Sequence, residues 1–169
     1  LWHSGVHLRG LRGAPVSAPT RGRLVAARWA AAPNGRSTSF VLIQHEAELD
    51  GRPFTFYSLL AHLALPPPSE TNPVGWLQAL AKPERAGQRA ALESGAVTLL
   101  DERIETGDLV GFLGTVNRGS EQGPELHFEI FSAEKPHAAL ERTFRPMTAA
   151  ADGPIVRRAA LSGLVDKYR

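Results

Sequence analysis

The chain of 169 residues contains no cysteine. This absence excludes disulfide bonds and thiolate ligands, so any bound metal must be held by His, Asp or Glu side chains. It also excludes a cysteine nucleophile and leaves oxygen, nitrogen or an activated water for hydrolytic chemistry. The six histidines are therefore the first candidates for a site.

Long apolar runs and a strong charge imbalance are also missing. No stretch is long and apolar enough to cross a membrane, and no signal peptide is visible. The formal net charge of +2 is too small, and the basic residues too dispersed, to predict a nucleic-acid partner. A hydrophobic content of 43% is typical of a globular domain with its own core.

Short β-type runs separated by turn residues dominate the first 131 residues. The runs are GRLVAARW (22–29), SFVLIQH (39–45), PFTFYSLL (53–60), AVTLL (96–100), LVGFLG (109–114) and ELHFEIF (125–131). The breaks between them contain PNG, DG, TGD and NRGSEQGP, which favour turns. We therefore predict a mainly β fold built on an antiparallel sheet or open β-sandwich.

Two segments depart from this β pattern. Residues from about 64 to 100 include three consecutive prolines near their start, continue with NPVGWLQALA and PERAGQRAALES, and predict a helical insertion. Asn72 is the expected cap of its first helix, with Pro73 at the first helical position. The C-terminal stretches KPHAALERTF and IVRRAALSGLVDKY are also helical in pattern. We expect a β domain at 1–131, interrupted by the insertion, and a helical extension at 132–169.

The run GPELHFEIF combines an apolar strand face with a chemically unusual one. Read with period two, Leu126, Phe128 and Ile130 share one face, and Glu125, His127 and Glu129 share the other. His3 and His7 lie four residues apart in WHSGVH, and His62 ends the β run YSLLAHL. Histidines carried by separate β segments can converge on one ion, for which zinc is the natural candidate.

These stretches together resemble the M23 family of LytM or lysostaphin-like zinc peptidases. The matching segments, in family order, are HSGVH (3–7), GAPVSA (13–18), GRLVAAR (22–28), FVLIQH (40–45), YSLLAHL (57–63), IETGDLVGFLG (104–114) and GPELHFEIF (123–131). The resemblance covers the chain to about Phe131 and is interrupted by the insertion. It implies a LytM-type fold of the duplicated-hybrid-motif kind for residues 1–131.

The resemblance also implies roles for individual positions. His3 and His127 match two of the family's zinc ligands, whereas His7 stands where the family has a ligand Asp. Glu125 occupies the place of the first His of the His-x-His motif. His62 matches the family's other active-site His, and a shorter alignment would place Leu59 there instead.

One hypothesis is an altered but intact site. Zinc is then held by His3, His7 and His127, with Glu125 as general base and His62 stabilising the developing oxyanion. The candidate residues beyond these are Glu129 and His45, as second-layer partners that orient the ligands, and Tyr57, as a substrate contact. The activity would be a zinc endopeptidase acting on peptidoglycan or other short peptides, in an extracytoplasmic location at the cell surface or in the periplasm.

Two alternatives remain open at this point. The replacements at 7 and 125 fit an inactive LytM-like domain that binds cell-wall peptides or regulates a partner hydrolase. A structural β domain of a larger surface assembly is the third possibility, although such a domain has no need for matched imidazoles on separate strands.

Overall fold

A computed structural model describes residues 5–30, 36–49, 51–66, 68–118 and 121–132. The chain divides into two units, Leu1–Phe131 and Ser132–Arg169, and the description falls almost wholly in the first. The predicted ligand His3 and the predicted helical extension beyond Ser132 lie outside the described residues.

Strands account for most of the described regular structure. They are β1 (Val6–Arg9), β2 (Pro15–Ser17), β3 (Gly22–Arg28), β4 (Ser39–Leu49), β5 (Arg52–Ala64), β6 (Thr98–Ile104), β7 (Leu109–Leu113), β8 (Thr115–Arg118) and β9 (Glu121–Phe131). The helices α1 (Gly75–Leu80) and α2 (Ala86–Glu93), with a 3₁₀ turn at Pro83–Arg85, stand between β5 and β6. None of these described helices has the length and apolar character needed to cross a membrane.

The strands pair in the order β1-β9-β5-β4-β3-β6, and β7 joins β5 to β2 while β8 pairs with β9. Each of these pairings is antiparallel. The predicted mainly β, antiparallel fold is therefore confirmed, and so is a helical insertion between two of its strands.

The insertion is part of the hydrophobic core. Val74, Trp76 and Leu77 are buried in the same cluster as Leu63 and Val110 of the strands. The indole Nε1–H of Trp76 donates to the carbonyl of Val110 at 3.1 Å, which satisfies its polar atom in the apolar interior. The insertion is thus fixed against the sheet by burial of its apolar side chains.

A β-bulge interrupts β5 at His62. Ser39 of β4 pairs with Leu63, but the next residue, Phe40, pairs with Ala61. His62 is therefore an extra residue that has no paired residue on β4. His62 has a φ of 67°, a left-handed conformation that non-glycine residues adopt at a cost. Bulges of this kind turn a side chain out of the regular alternation of a strand.

Candidate functional site

One face of the sheet gathers the polar side chains of β9 and their neighbours. His127 lies opposite His7 of β1 and opposite Ala61 of β5, and Glu125 lies opposite Arg9. Directly opposed residues of antiparallel strands project to the same face. Glu125 and His127 are nevertheless buried, with exposed fractions of 5% and 8%. The face is therefore a recessed site rather than a solvated surface.

His7 and His127 form the centre of this site. Nε2 of His7 lies 3.4 Å from Nδ1 of His127, and their ring centroids are 4.9 Å apart. The second nitrogen of each ring faces a carboxylate: Nδ1 of His7 is 2.5 Å from Oε1 of Glu125, and Nε2 of His127 is 3.2 Å from Oε2 of Glu129. Glu129 accepts a hydrogen bond from Nε2–H of His127, which leaves the lone pair of the neutral ring on Nδ1. Nδ1 of His7 is in close contact with Glu125 but is not aligned for a hydrogen bond with it.

The inner nitrogens of the two rings lie within hydrogen-bonding distance of each other. With Nε2 of His127 protonated, its Nδ1 carries a lone pair that can accept from Nε2–H of His7 across 3.4 Å or bind a cation. Two imidazole nitrogens bound to one tetrahedral zinc lie about 3.3 Å apart. The pair thus fits two positions of a zinc site.

His62 completes the group from the opposite side of β9. Its ring centroid is 6.3 Å from that of His7 and 6.2 Å from that of His127. Nδ1 of His62 donates to the backbone carbonyl of Ser37 at 3.0 Å, because a carbonyl can only accept. This bond places the acceptor lone pair of the neutral ring on Nε2. The bulge thus brings an oriented imidazole to the His7–His127 pair.

Glu125 is held by two neighbours on β1. Its Oε1 atom pairs with His7, and its Oε2 atom lies 3.6 Å from Nε of Arg9, which is 74% exposed. The Arg9 pair is largely screened by solvent, so the short contact to His7 is the stronger constraint. Glu125 therefore acts as a partner of a predicted ligand, and its expected role as general base stays a prediction.

Two glycines allow this close packing. A Cβ atom on Gly5 would come within 2.4 Å of Cε1 and 2.7 Å of Nε2 of His127, so only glycine fits against that ring. Gly114 donates its backbone N–H to the His62 carbonyl at 2.9 Å and accepts from the Glu125 N–H at 3.2 Å. The bulge and the β9 strand are thus joined through a residue with no side chain.

His45 has a different environment from the other histidines. Its Nδ1–H donates to the Arg21 carbonyl at 2.8 Å, and its Nε2 accepts from the Ser58 hydroxyl at 2.7 Å. Burial lowers the pKa of His45 and favours the neutral ring, although the bond to Arg21 opposes this in part. Both ring nitrogens form hydrogen bonds with residues outside the predicted ligand set. The ring therefore connects β4 to β5 and to the residue before β3.

Tyr57 lies further along the site face. It is opposite Phe131, and the two rings stack with centroids 5.6 Å apart. Phe131 is 41% exposed, so the pair forms an aromatic ledge at the end of β9. The expected role of Tyr57 as a substrate contact stays a prediction. Leu59, the residue of the shorter alignment, lies opposite Glu129.

Only part of the predicted donor set falls within the described residues. Among residues 5–30, 36–49, 51–66, 68–118 and 121–132, no group of three or more His, Asp or Glu side chains is arranged to hold a metal ion. His7 and His127 fit two ligand positions, and the third predicted ligand, His3, is not among the described residues. Zinc binding by the full set of three therefore stays a prediction.

Ser37 and Arg9 are members of this site that the sequence did not reveal. Ser37 contacts His62 through its backbone carbonyl, which any residue type would supply. Arg9 follows His7 by two residues, so the alternation of β1 places both on one face. That spacing is the one sequence signal that could have identified Arg9.

Comparisons with known proteins find a distant structural similarity. No protein-family profile matches the chain, and no curated protein matches it significantly. Among solved structures, the chain is similar to the NMR solution structure of lysostaphin, at 17% sequence identity and a TM-score of 0.43. The match covers 89% of this chain and 46% of the lysostaphin chain, so the chain spans less than half of that protein. Membership of the M23 family stays a prediction from the sequence motifs.

Proposed function

We propose that residues 1–131 form an M23-like, zinc-dependent hydrolase of peptide bonds. The observation that carries the proposal is the approach of Nε2 of His7 to Nδ1 of His127, with a carboxylate beside the other nitrogen of each ring. Metal-binding histidines characteristically donate their other ring N–H to a carboxylate, which fixes the ring and raises its basicity. His127 has this arrangement with Glu129, and the Glu125 carboxylate lies in close contact with Nδ1 of His7.

In this proposal His7 and His127 hold zinc together with His3, and Glu125 and Glu129 orient the two described rings. Bound zinc supplies Lewis acidity and makes a water molecule acidic enough to act as a nucleophile near neutral pH. His7 stands where the family has a ligand Asp, so the ligand set has one negative charge fewer. The Glu125 carboxylate, in contact with Nδ1 of His7, places a negative charge next to the ligand instead.

Proton transfer falls to His62 in this proposal rather than to Glu125. The Ser37 carbonyl holds the His62 proton on Nδ1, so Nε2 can take a proton from the attacking water and later deliver it to the leaving amine. Glu125 is already paired with His7 and Arg9, and protonating it would weaken both contacts. This assignment revises the sequence-based hypothesis, in which Glu125 was the base and His62 stabilised the oxyanion.

The proposed substrates are short peptides of peptidoglycan, in an extracytoplasmic location, as the M23 resemblance implies. The test is release of free amines from purified peptidoglycan by the full chain supplied with zinc. We expect release by the unchanged chain and a loss of at least about 100-fold in His62→Gln, since general acid–base groups contribute that much. Glu105→Gln, at an exposed turn carboxylate, is the matched control. No amine release by the unchanged chain, or full release by His62→Gln, overturns the proposal.

A second candidate is a non-catalytic domain that binds wall peptides or regulates a partner hydrolase. The observation that favours it is the departure from the family pattern at His7 and Glu125, two positions that the resemblance places at the metal site. This function needs the recessed face but no metal. Sedimentation with insoluble peptidoglycan in the presence of a chelator distinguishes it, because retention there without amine release supports binding alone.

A further inference from the structure

We infer that a cavity beside the His62 bulge is a subsite for a short peptide with a free carboxylate. The cavity has a volume of about 510 Å³ and is called here the Trp29 cavity. Its lining includes Arg12, Trp29, Arg36, Ser37, Phe112 and Gly114. A volume of this size lies within the range of ordinary ligand pockets, about 300–1,000 Å³.

The charge of the side chains that line the cavity determines the class of ligand. Two guanidinium side chains, those of Arg12 and Arg36, line the Trp29 cavity, and no Asp or Glu is among its described lining residues. Arg36 also has an interaction within the protein, so Arg12 is the cation that a ligand would meet. Arg12 is exposed and forms no ion pair or side-chain hydrogen bond with the described part of the chain. A planar guanidinium matches the two oxygens of a carboxylate, so the cavity favours an anion of that shape.

The other residues that line the cavity determine which uncharged part of a ligand would bind. Trp29, Leu65 and Phe112 offer apolar surface, and the hydroxyl side chains of Ser39 and Thr115 add small polar groups. A bare inorganic anion would leave this apolar surface unused, whereas a peptide with small apolar side chains would cover it. The combination of apolar walls and the Arg12 guanidinium therefore points to the carboxyl end of a short peptide.

The Trp29 cavity shares residues with the proposed active site. Ser37 lines it and holds the His62 ring through its carbonyl, and Gly114 lines it and bonds the His62 backbone. A peptide seated there would contact Ser37 and Gly114, the two residues that form hydrogen bonds with His62. One consequence rests on the proposed function: if the site hydrolyses peptides, it cleaves them close to their free carboxyl terminus.

The experiment measures binding and needs no hydrolysis. N-acetyl-alanyl-alanine, in its L,L and D,D forms, is titrated into the full chain by calorimetry, in chelator and again with one equivalent of zinc. The C-terminal amides of the same peptides and inorganic phosphate are titrated in parallel. We expect at least one acid form to bind, and its amide to bind about tenfold more weakly, because the charge-assisted contact is lost.

The variants are Arg12→Gln and Trp29→Leu, with Arg52→Gln as the control. Arg52 is exposed at the β4–β5 turn and does not line the cavity, so its replacement makes the same charge change elsewhere. We expect about tenfold weaker binding in each cavity variant and none of this loss in the control. Absence of binding, equal affinity for acid and amide, phosphate binding as tightly as the peptide, or an equal loss in Arg52→Gln overturns the inference. Failure of amine release from peptidoglycan would leave this binding result standing.

Discussion

Nε2 of His7 and Nδ1 of His127 face each other across 3.4 Å, and a carboxylate lies behind each ring. The nitrogens belong to strands at opposite ends of the described sequence, and antiparallel pairing of β1 with β9 places them side by side. The proposed zinc site is centred on this pair.

Replacement of Gly5 by Ala should disturb the pair sterically. The added Cβ would lie 2.4 Å from Cε1 of His127 and 2.8 Å from the Phe128 carbonyl, so the ring or β1 must shift. We expect the free energy of unfolding to fall by about 1–3 kcal/mol, as for other overpacked sites. Zinc affinity should fall as well. Denaturant unfolding with and without zinc measures both effects.

Gly87→Ala is the matched control for that substitution. A Cβ atom on Gly87 meets nothing within 4 Å, and the residue lies in α2. Ala has the higher helix propensity, so this variant should gain up to about 1 kcal/mol of stability. Equal stability of Gly5→Ala and the unchanged chain would contradict the described contact between Gly5 and His127.

Replacement of Glu125 by Gln should weaken zinc binding. The amide keeps an acceptor near His7 Nδ1 but loses the charge that raises the basicity of the ring. We expect zinc affinity to fall by about 10–100-fold, as for other changes of residues behind a metal ligand. Glu105→Gln removes one charge from an exposed turn and should leave the affinity unchanged. Unchanged zinc affinity with abolished hydrolysis would instead assign Glu125 as the base.

Substitutions at His62 should separate the effect of its backbone conformation from the effect of its side chain. Glycine adopts the φ of 67° without strain, whereas valine does not. We expect His62→Gly to stay within about 1 kcal/mol of the unchanged chain, because relieved strain offsets the lost hydrogen bond to Ser37. His62→Val should lose about 1–3 kcal/mol. Both should lose peptide hydrolysis, and equal stability of the two variants would argue against the bulge.

The stability of the domain should depend on pH through His45. Burial lowers its pKa in the folded state below the value of about 6.5 in the unfolded chain. The unfolded chain then binds the proton first on acidification, so the stabilising contribution is complete above pH 6.5 and is lost as the pH falls through the folded pKa.

The variant His45→Gln isolates this contribution from the other histidines. Gln lacks the titration but also loses part of the contacts to Arg21 and Ser58. The loss of unfolding free energy caused by the substitution should therefore be larger at pH 7.5 than at pH 5.5. Thermal or denaturant unfolding at the two values measures it. An equal loss at both values would contradict the assignment.

The alternating patterns of the sequence predicted the sheet well, because each strand has one face in the core. The pattern of SFVLIQH places Val41 and Ile43 on a buried face, and both are fully buried in β4. The first helix was predicted to begin at Pro73 but begins at Gly75. Val74 is extended and completely buried, so packing in the core delays the helix, and Asn72 bonds the Val74 N–H instead of capping it.

The site was predictable only as a set of side chains on a face. Alternation put Glu125, His127 and Glu129 together, but their partners depend on how β1 pairs with β9 across the whole chain. The sequence YSLLAHL contains no signal for the bulge at His62, because the bulge arises from a register shift between β5 and β4. The link from His62 to Ser37 is a backbone contact and has no side-chain signal.

Zinc binding by the His7–His127 pair is the central claim, and calorimetric titration of the metal-free full chain tests it most directly. We predict one zinc per chain with an affinity better than micromolar, retained in His45→Gln and lost in both His7→Gln and His127→Gln. Absence of binding at micromolar zinc, or binding that survives both substitutions, would contradict the claim.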